Sequence, residues 1–172
     1  MSKNKIETAL DYLRNGQLII VADDDDREAE GDLVGIANLA TMESVNFMTK
    51  FARGLICAPI SAQLADRLQL TEMVAQNTDT FKTAFTISVD HRSTTTGISA
   101  EERARTIRAL ANPQTKEEDF QKPGHIFPLI GRIGGVLERR GHTEAALDLA
   151  KLTNQSEAAY ICEILNEDGT MA

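Results

Sequence analysis

One stretch limits this chain more than any other: residues 23–32, DDDDREAEGD, seven of them carboxylates with Arg27 the only cation. Crowded carboxylates repel, and folding pushes some of their pKa values up unless cations sit among them. An isolated acidic run is most often a solvated loop or tail. Here the apolar run QLIIVA (17–22) leads in and LVGIA (33–37) leads out, each suited to a buried strand. Pinned between two such strands, the acids are held close together, which is how a hard-metal or acid–base site is built. The sixth loop position holds no glycine, which excludes an EF-hand, and Arg27 interrupts the spacing of a DDxxD diphosphate motif. A Mg²⁺ site of few protein ligands survives, because Mg²⁺ keeps several waters and completes its octahedron with substrate oxygens.

A chain of 172 residues with 42% hydrophobic and 26% charged side chains fits one globular domain, 1–172, with a real core. Net charge −8 and a pI near 4.9 argue against a nucleic-acid partner, yet a local Arg can still hold an anionic substrate. No apolar stretch is long enough to span a membrane, and MSKNKIETALDYL has no signal-peptide core, so a cytoplasmic protein with no membrane partner is expected. Cys57 and Cys162 sit in apolar runs, GLICAPI and AAYICEIL, as two buried thiols rather than a disulfide.

Ile6, Ala9, Leu10 and Leu13 recur at helical spacing and predict a helix over 4–15 stopped by Gly16. A strand, the acidic loop and a second strand to about residue 40 follow. Thr41 is the expected cap of a helix that ends at Gly54; residues 55–58 are a short strand broken by Pro59, and Ser61 caps a helix through Leu70. Residues 71–83 read as polar loop and 83–90, TAFTISVD, as a strand. Ser99 and Glu102 form an S-x-x-E pair that starts a helix over 100–111. KPGH (122–125) is a turn, RRGHT (139–143) opens a helix, and 158–165 is the last strand. Alternating strands and helices without G-x-G-x-x-G predict an α+β or α/β domain on a mixed sheet.

Several residues outside the acidic loop could carry chemistry. His125 follows Pro-Gly, where a ring projects from a turn, although most turn histidines are plain surface, as His91 looks to be. His142 lies where free helix N–H groups, Arg139 and Thr143 would cradle a phosphate; an ordinary helix start fits the same residues. Glu163 interrupts an apolar strand and needs a partner or a task if it points inward. The apolar neighbours of Cys57 favour core packing over nucleophilic chemistry.

The ordered motifs DREAEGD, ARGLIC, TTTGISAEER, KPGHIFPL, GGVLERRGHTEA, ICEI and EDGTMA closely resemble those of the 3,4-dihydroxy-2-butanone 4-phosphate synthase family of riboflavin biosynthesis, over essentially the whole chain. The resemblance implies an α+β fold with a mixed β-sheet flanked by helices, working as a homodimer with sites near the interface. It implies conversion of D-ribulose 5-phosphate to 3,4-dihydroxy-2-butanone 4-phosphate and formate with two Mg²⁺ (or Mn²⁺) ions per site. Metal ligands would be Glu28 and His142. Arg27, Glu28 and Asp32 would contact the sugar; Arg139, Arg140, Gly141, His142 and Thr143 would take phosphate and metal. His125 and Glu163 match essential positions, and Asp23, Glu30, Cys57 and Thr96 match others lining the site. Asp32 or Glu30 is expected to take the first proton, and His125 and Glu163 to serve later transfers. Asp24, Asp25 and Asp26 are expected to stay solvated or outside the ligand sphere.

The chain departs from the family pattern at Asp25, where Glu is usual, and at Ala29, where Asn is common. Family members also generally continue past GTMA with a strand and helical tail or a fused GTP cyclohydrolase II domain, whereas this sequence stops at Ala172. Two rivals share the motifs: a catalytically lapsed homologue acting as a binding or regulatory subunit, and a metal-dependent sugar-phosphate isomerase or aldolase with the same first step.

Overall fold

Among the described residues, apolar runs at strand and helix spacing condense into six strands and five α-helices. In chain order they are α1 Lys5–Arg14, β1 Ile19–Ala22, β2 Gly31–Ile36, α2 Met42–Phe47, β3 Cys57–Ile60, α3 Ala62–Arg67, β4 Val89–His91, α4 Ala100–Ala111, β5 Phe120–Ile130, α5 His142–Thr153 and β6 Ala159–Glu163. This computed structural model describes residues 4–24 and 26–172. The acidic-run position Asp25, with its expected solvated place, lies outside them.

The strands form one mixed sheet in the order β1-β2-β6-β3-β5-β4. β3 and β5 are parallel, and the other pairs are antiparallel. Alternation along the strands splits the core in two. Val34, Ile36, Cys57, Leu129, Ala159 and Ile161 face α1 and α5. Leu33, Ala58, Ile60, Ile126, Tyr160 and Cys162 face the opposite layer, where α2 packs on α4. The resulting α+β fold carries helices on both faces of its sheet, as expected.

The helix starts follow local chemistry. Asn4 caps α1, its side chain accepting the N–H of Ile6 at 2.8 Å, and Thr41 and Ser99 cap α2 and α4 by accepting from Ser44 and Glu102. Several expected boundaries need correcting. β2 ends at Ile36 and gives way to a 3₁₀ turn, Ala37–Leu39. The second helix closes in a π turn, Met48–Ala52, and its left-handed residue is Arg53, φ +71°, rather than Gly54. Pro59 does not break its strand, because β3 runs through it alongside β5. The helix after Ser61 stops at Arg67, and Gln69 adopts φ +50°. Of 83–90 only Val89 and Asp90 are regular strand, the start of β4, with Phe85 making an isolated bridge to Leu129; β-branched residues signal extended backbone, not its pairing. The expected KPGH turn lies inside β5. Its Lys122–Pro123 peptide bond is cis, and Gly124 donates to Ser88 Oγ. A Cβ at Gly124 would collide with the Val89 backbone, so glycine here serves close strand approach rather than chain reversal.

Candidate active site

The acidic loop, residues 23–30, joins β1 to β2, and Asp23 fastens it. Its Oδ2 accepts from Arg27 Nη1 at 2.5 Å and from the Glu28 N–H at 3.3 Å, and its Oδ1 accepts from the Glu30 N–H at 2.9 Å. Burial alone would raise the Asp23 pKa, but these donors outweigh it and hold the carboxyl below its ordinary range. Arg27 also pairs with Glu28 at 2.5 Å and lies over the Phe81 ring at 5.1 Å. Asp24 and Asp26 are exposed, as expected for solvated positions. Ala29 sits in the left-handed region, φ +54°, where Asn is tolerated and Ala is strained.

Sheet register places Asp32 opposite Glu163, so Asp32 lies in β2 rather than in the loop. Glu163 Oε2 accepts the N–H of Leu55 at 2.7 Å. His142, the first residue of α5, turns its buried ring toward the acids: Nδ1 is 3.8 Å from Asp32 Oδ1 and 3.9 Å from Glu28 Oε2. Asp23, Glu28 and His142 bring potential ligand atoms within 4.8 Å of one another. Two buried atoms beside this trio, Asp32 Oδ1 and His142 Nε2, have no hydrogen-bond partner among the described residues. Carboxylate oxygens and an imidazole suit Mg²⁺ or Mn²⁺, and the unpartnered Asp32 and His142 atoms add to the donor set. The residues therefore fit a divalent ion.

The electrostatics of the site favour positive charge beside its carboxylates. Burial, then neighbouring Glu163, Glu30, Glu28 and Asp23, push Asp32 from 3.8 to about 8. Burial and Glu28 also raise Glu30. Burial lowers the His142 pKa and so favours its neutral imidazole. A thiolate at Cys57 is disfavoured, because burial drives its pKa up.

These residues line a cavity of about 220 Å³ that includes Arg27, Glu28, Glu30, Asp32, Cys57, Arg139, His142, Thr143 and Glu163. Arg140 and Gly141 line an adjoining hollow of about 200 Å³ with Asp23, Asp24 and Asp26. A larger groove of about 670 Å³ beside α3 and the end of α5 shares no lining residue with either. Thr96 and His125 lie outside both. His125 is exposed on a patch of its own, its Nδ1 2.7 Å from Asp90 Oδ2 and its N–H donating to Asp90 Oδ1 at 2.9 Å. Gly97, at φ +82°, presses against the same Asp90, where a side chain would collide. Thr96 Oγ1 is 3.4 Å from Glu102, whose carboxylate gathers Thr95, Gly97 and Ser99 rather than closing the box at the Ser99 N–H. Sequence reasoning missed Asp90, which orients His125, and Asp79, Thr83 and Phe85, which line the main cavity. An Asp ending the TISVD run was the only available signal for the first; a stretch read as polar loop offered none for Asp79.

Fold and site together set a cluster of carboxylates and one histidine, able to hold a divalent cation, beside the start of α5. Residues 7–172 match the family model for 3,4-dihydroxy-2-butanone 4-phosphate synthase. The chain is 63% identical to a 3,4-dihydroxy-2-butanone 4-phosphate synthase of Oceanobacillus iheyensis, covering 98% of this chain and 82% of that one. It is 59% identical to the riboflavin biosynthesis protein RibBA of Bacillus mycoides, covering 98% of this chain but 43% of the relative. Among solved structures, a 3,4-dihydroxy-2-butanone 4-phosphate synthase in complex with two magnesium ions superposes with a TM-score of 0.93 at 42% identity, over 96% of this chain and 77% of that one. The two-domain RibBX synthase of A. baumannii gives 0.94 at 46%, over 98% of this chain and 50% of that one. The chain belongs to the 3,4-dihydroxy-2-butanone 4-phosphate synthase family.

Proposed function

We propose that this chain converts D-ribulose 5-phosphate to 3,4-dihydroxy-2-butanone 4-phosphate and formate, with Mg²⁺ or Mn²⁺ held by Glu28 and His142. One observation carries the reading: a loop near the start and a helix start more than a hundred residues later converge so that Asp23, Glu28 and His142 can share a cation, in a chain of this family. A pair of bound ions, as in the magnesium-bound relative, would supply positive charge against the negative charge that develops on the substrate oxygens.

The remaining roles belong to this chain's side chains. Thr143, Arg139 and the free N–H groups starting α5 receive the phosphate, with Arg140 and Gly141 beside them. Arg27 and Asp32 orient the sugar. Glu30 and Asp32 line the cavity and take the first proton, next to the substrate carbonyl. Glu163 is locked by the Leu55 N–H and serves later transfers. His125 does so too, its ring fixed by Asp90. Cys57 packs the floor of the cavity.

Thr96 and His125 stand apart from that cavity, and a homodimer with sites at its interface closes the gap. Exposed apolar side chains support it: the Phe47 and Phe51 rings pack against each other, tilted at 45° with centroids 4.7 Å apart, and Leu55 and Ile98 are also exposed. We place the protein in the cytoplasm, where two buried free thiols persist. Purified protein incubated with D-ribulose 5-phosphate and Mg²⁺ should release formate, and chelator should abolish it; no formate above background contradicts the reading.

A further inference from the structure

Arg139 is held from three sides. Its Nη1 donates to Glu144 Oε2 at 2.6 Å, its Nη2 to Thr83 Oγ1 at 2.8 Å and its Nε to the Phe81 carbonyl at 3.0 Å. Glu144 is 1% exposed, and its other oxygen accepts the Arg132 N–H at 3.0 Å, so the carboxylate cannot swing away. A Cβ at Gly141 would press on both the guanidinium and this carboxylate, so the helix start leaves no room for Arg139 to relax. A guanidinium has five N–H donors, and three are spent here. The remaining two belong to a group that lines the cavity with Thr143.

We propose that Glu144, together with Thr83, is a positioning residue for phosphate recognition. They fix the plane of Arg139 so that its two unspent N–H groups meet a phosphate at the start of α5. A guanidinium fixed in advance loses less freedom on binding than a mobile one. The segment around Thr83, which the sequence presents as plain polar loop, thereby becomes part of the recognition apparatus. Glu144 touches no substrate; it acts through Arg139. The proposal rests on reading Arg139 as the phosphate ligand.

Inorganic phosphate titrated into the full chain, followed by phosphorus NMR, tests it without turnover. Glu144→Gln and Thr83→Val should each weaken phosphate binding about tenfold, the effect of a lost charge-assisted hydrogen bond, with Thr83→Ser restoring it. Affinity for Mn²⁺ should stay unchanged in all three, and in turnover Glu144→Gln and Thr83→Val should raise KM while kcat holds. Wild-type phosphate affinity in both Glu144→Gln and Thr83→Val overturns the proposal, as does parallel loss of phosphate and Mn²⁺ binding, or no phosphate binding by the wild type. If Glu144→Gln fails to fold, the Thr83→Val and Thr83→Ser pair decides. The expected phosphate pattern in a wild type that releases no formate supports the positioning role and contradicts the catalytic one.

Discussion

Asp23 is a clasp before it is anything else: its carboxylate takes one side-chain and two backbone donors of its own loop, which aims Glu28 at His142. Removing a ligand should therefore be felt directly. Glu28→Gln and His142→Ala should each lower Mn²⁺ affinity by at least about tenfold, measured by isothermal titration. Asp32 gives a stability test with a defined sign. Its folded pKa, about 8, exceeds its ordinary 3.8, so its contribution is intact below pH 3.8 and is lost as the pH climbs toward 8. In metal-free protein, Asp32→Asn should raise the unfolding temperature at pH 8 by about 4 °C or more and change it little at pH 4. The acids and His142 were legible because they crowd within short motifs. Asp90 and Glu144 were not, since their partners His125 and Arg139 become visible as contacts only in the folded chain.

At the scale of elements, the acidic loop shows what pattern reasoning can and cannot reach. Flanking apolar runs located it between two strands, and β1 and β2 are there. The pairing of β2 with β6, which sets Asp32 against Glu163, needs a partner strand that alternation alone does not name. KPGH misled for a physical reason: Pro and Gly usually end strands, yet here Gly124 permits a close strand approach within β5. Ala29 is where this chain's own sequence meets strain. At φ +54° an alanine is disfavoured relative to glycine, so Ala29→Gly should stabilise the protein by about 1 kcal/mol in urea unfolding, whereas Ala29→Val should destabilise it.

Across the whole molecule, the candidate site residues fall into two groups at different places in the fold. Glu28, Asp32, His142 and Glu163 share a cavity, while outside it Asp90 holds His125 and Glu102 holds Thr96. Alternation along β5 puts Phe127 and Leu129, and with them the odd-numbered His125, on the face that carries Cys57 and Ile161. The proposed dimer, which would cover the exposed aromatics, should separate when one becomes charged: Phe51→Asp should halve the mass seen by analytical ultracentrifugation and lose activity with it. The family's motif order made this chemistry legible from the sequence, whereas the separation of the two groups is a property of the fold. The central claim is that this site removes one carbon from a five-carbon sugar phosphate. A carbon-13 spectrum of the products from uniformly labelled D-ribulose 5-phosphate, with Mg²⁺ and the wild-type chain, tests it most directly. Resonances of formate and a four-carbon phosphate are expected; a five-carbon ketose or aldose phosphate without formate would contradict the account.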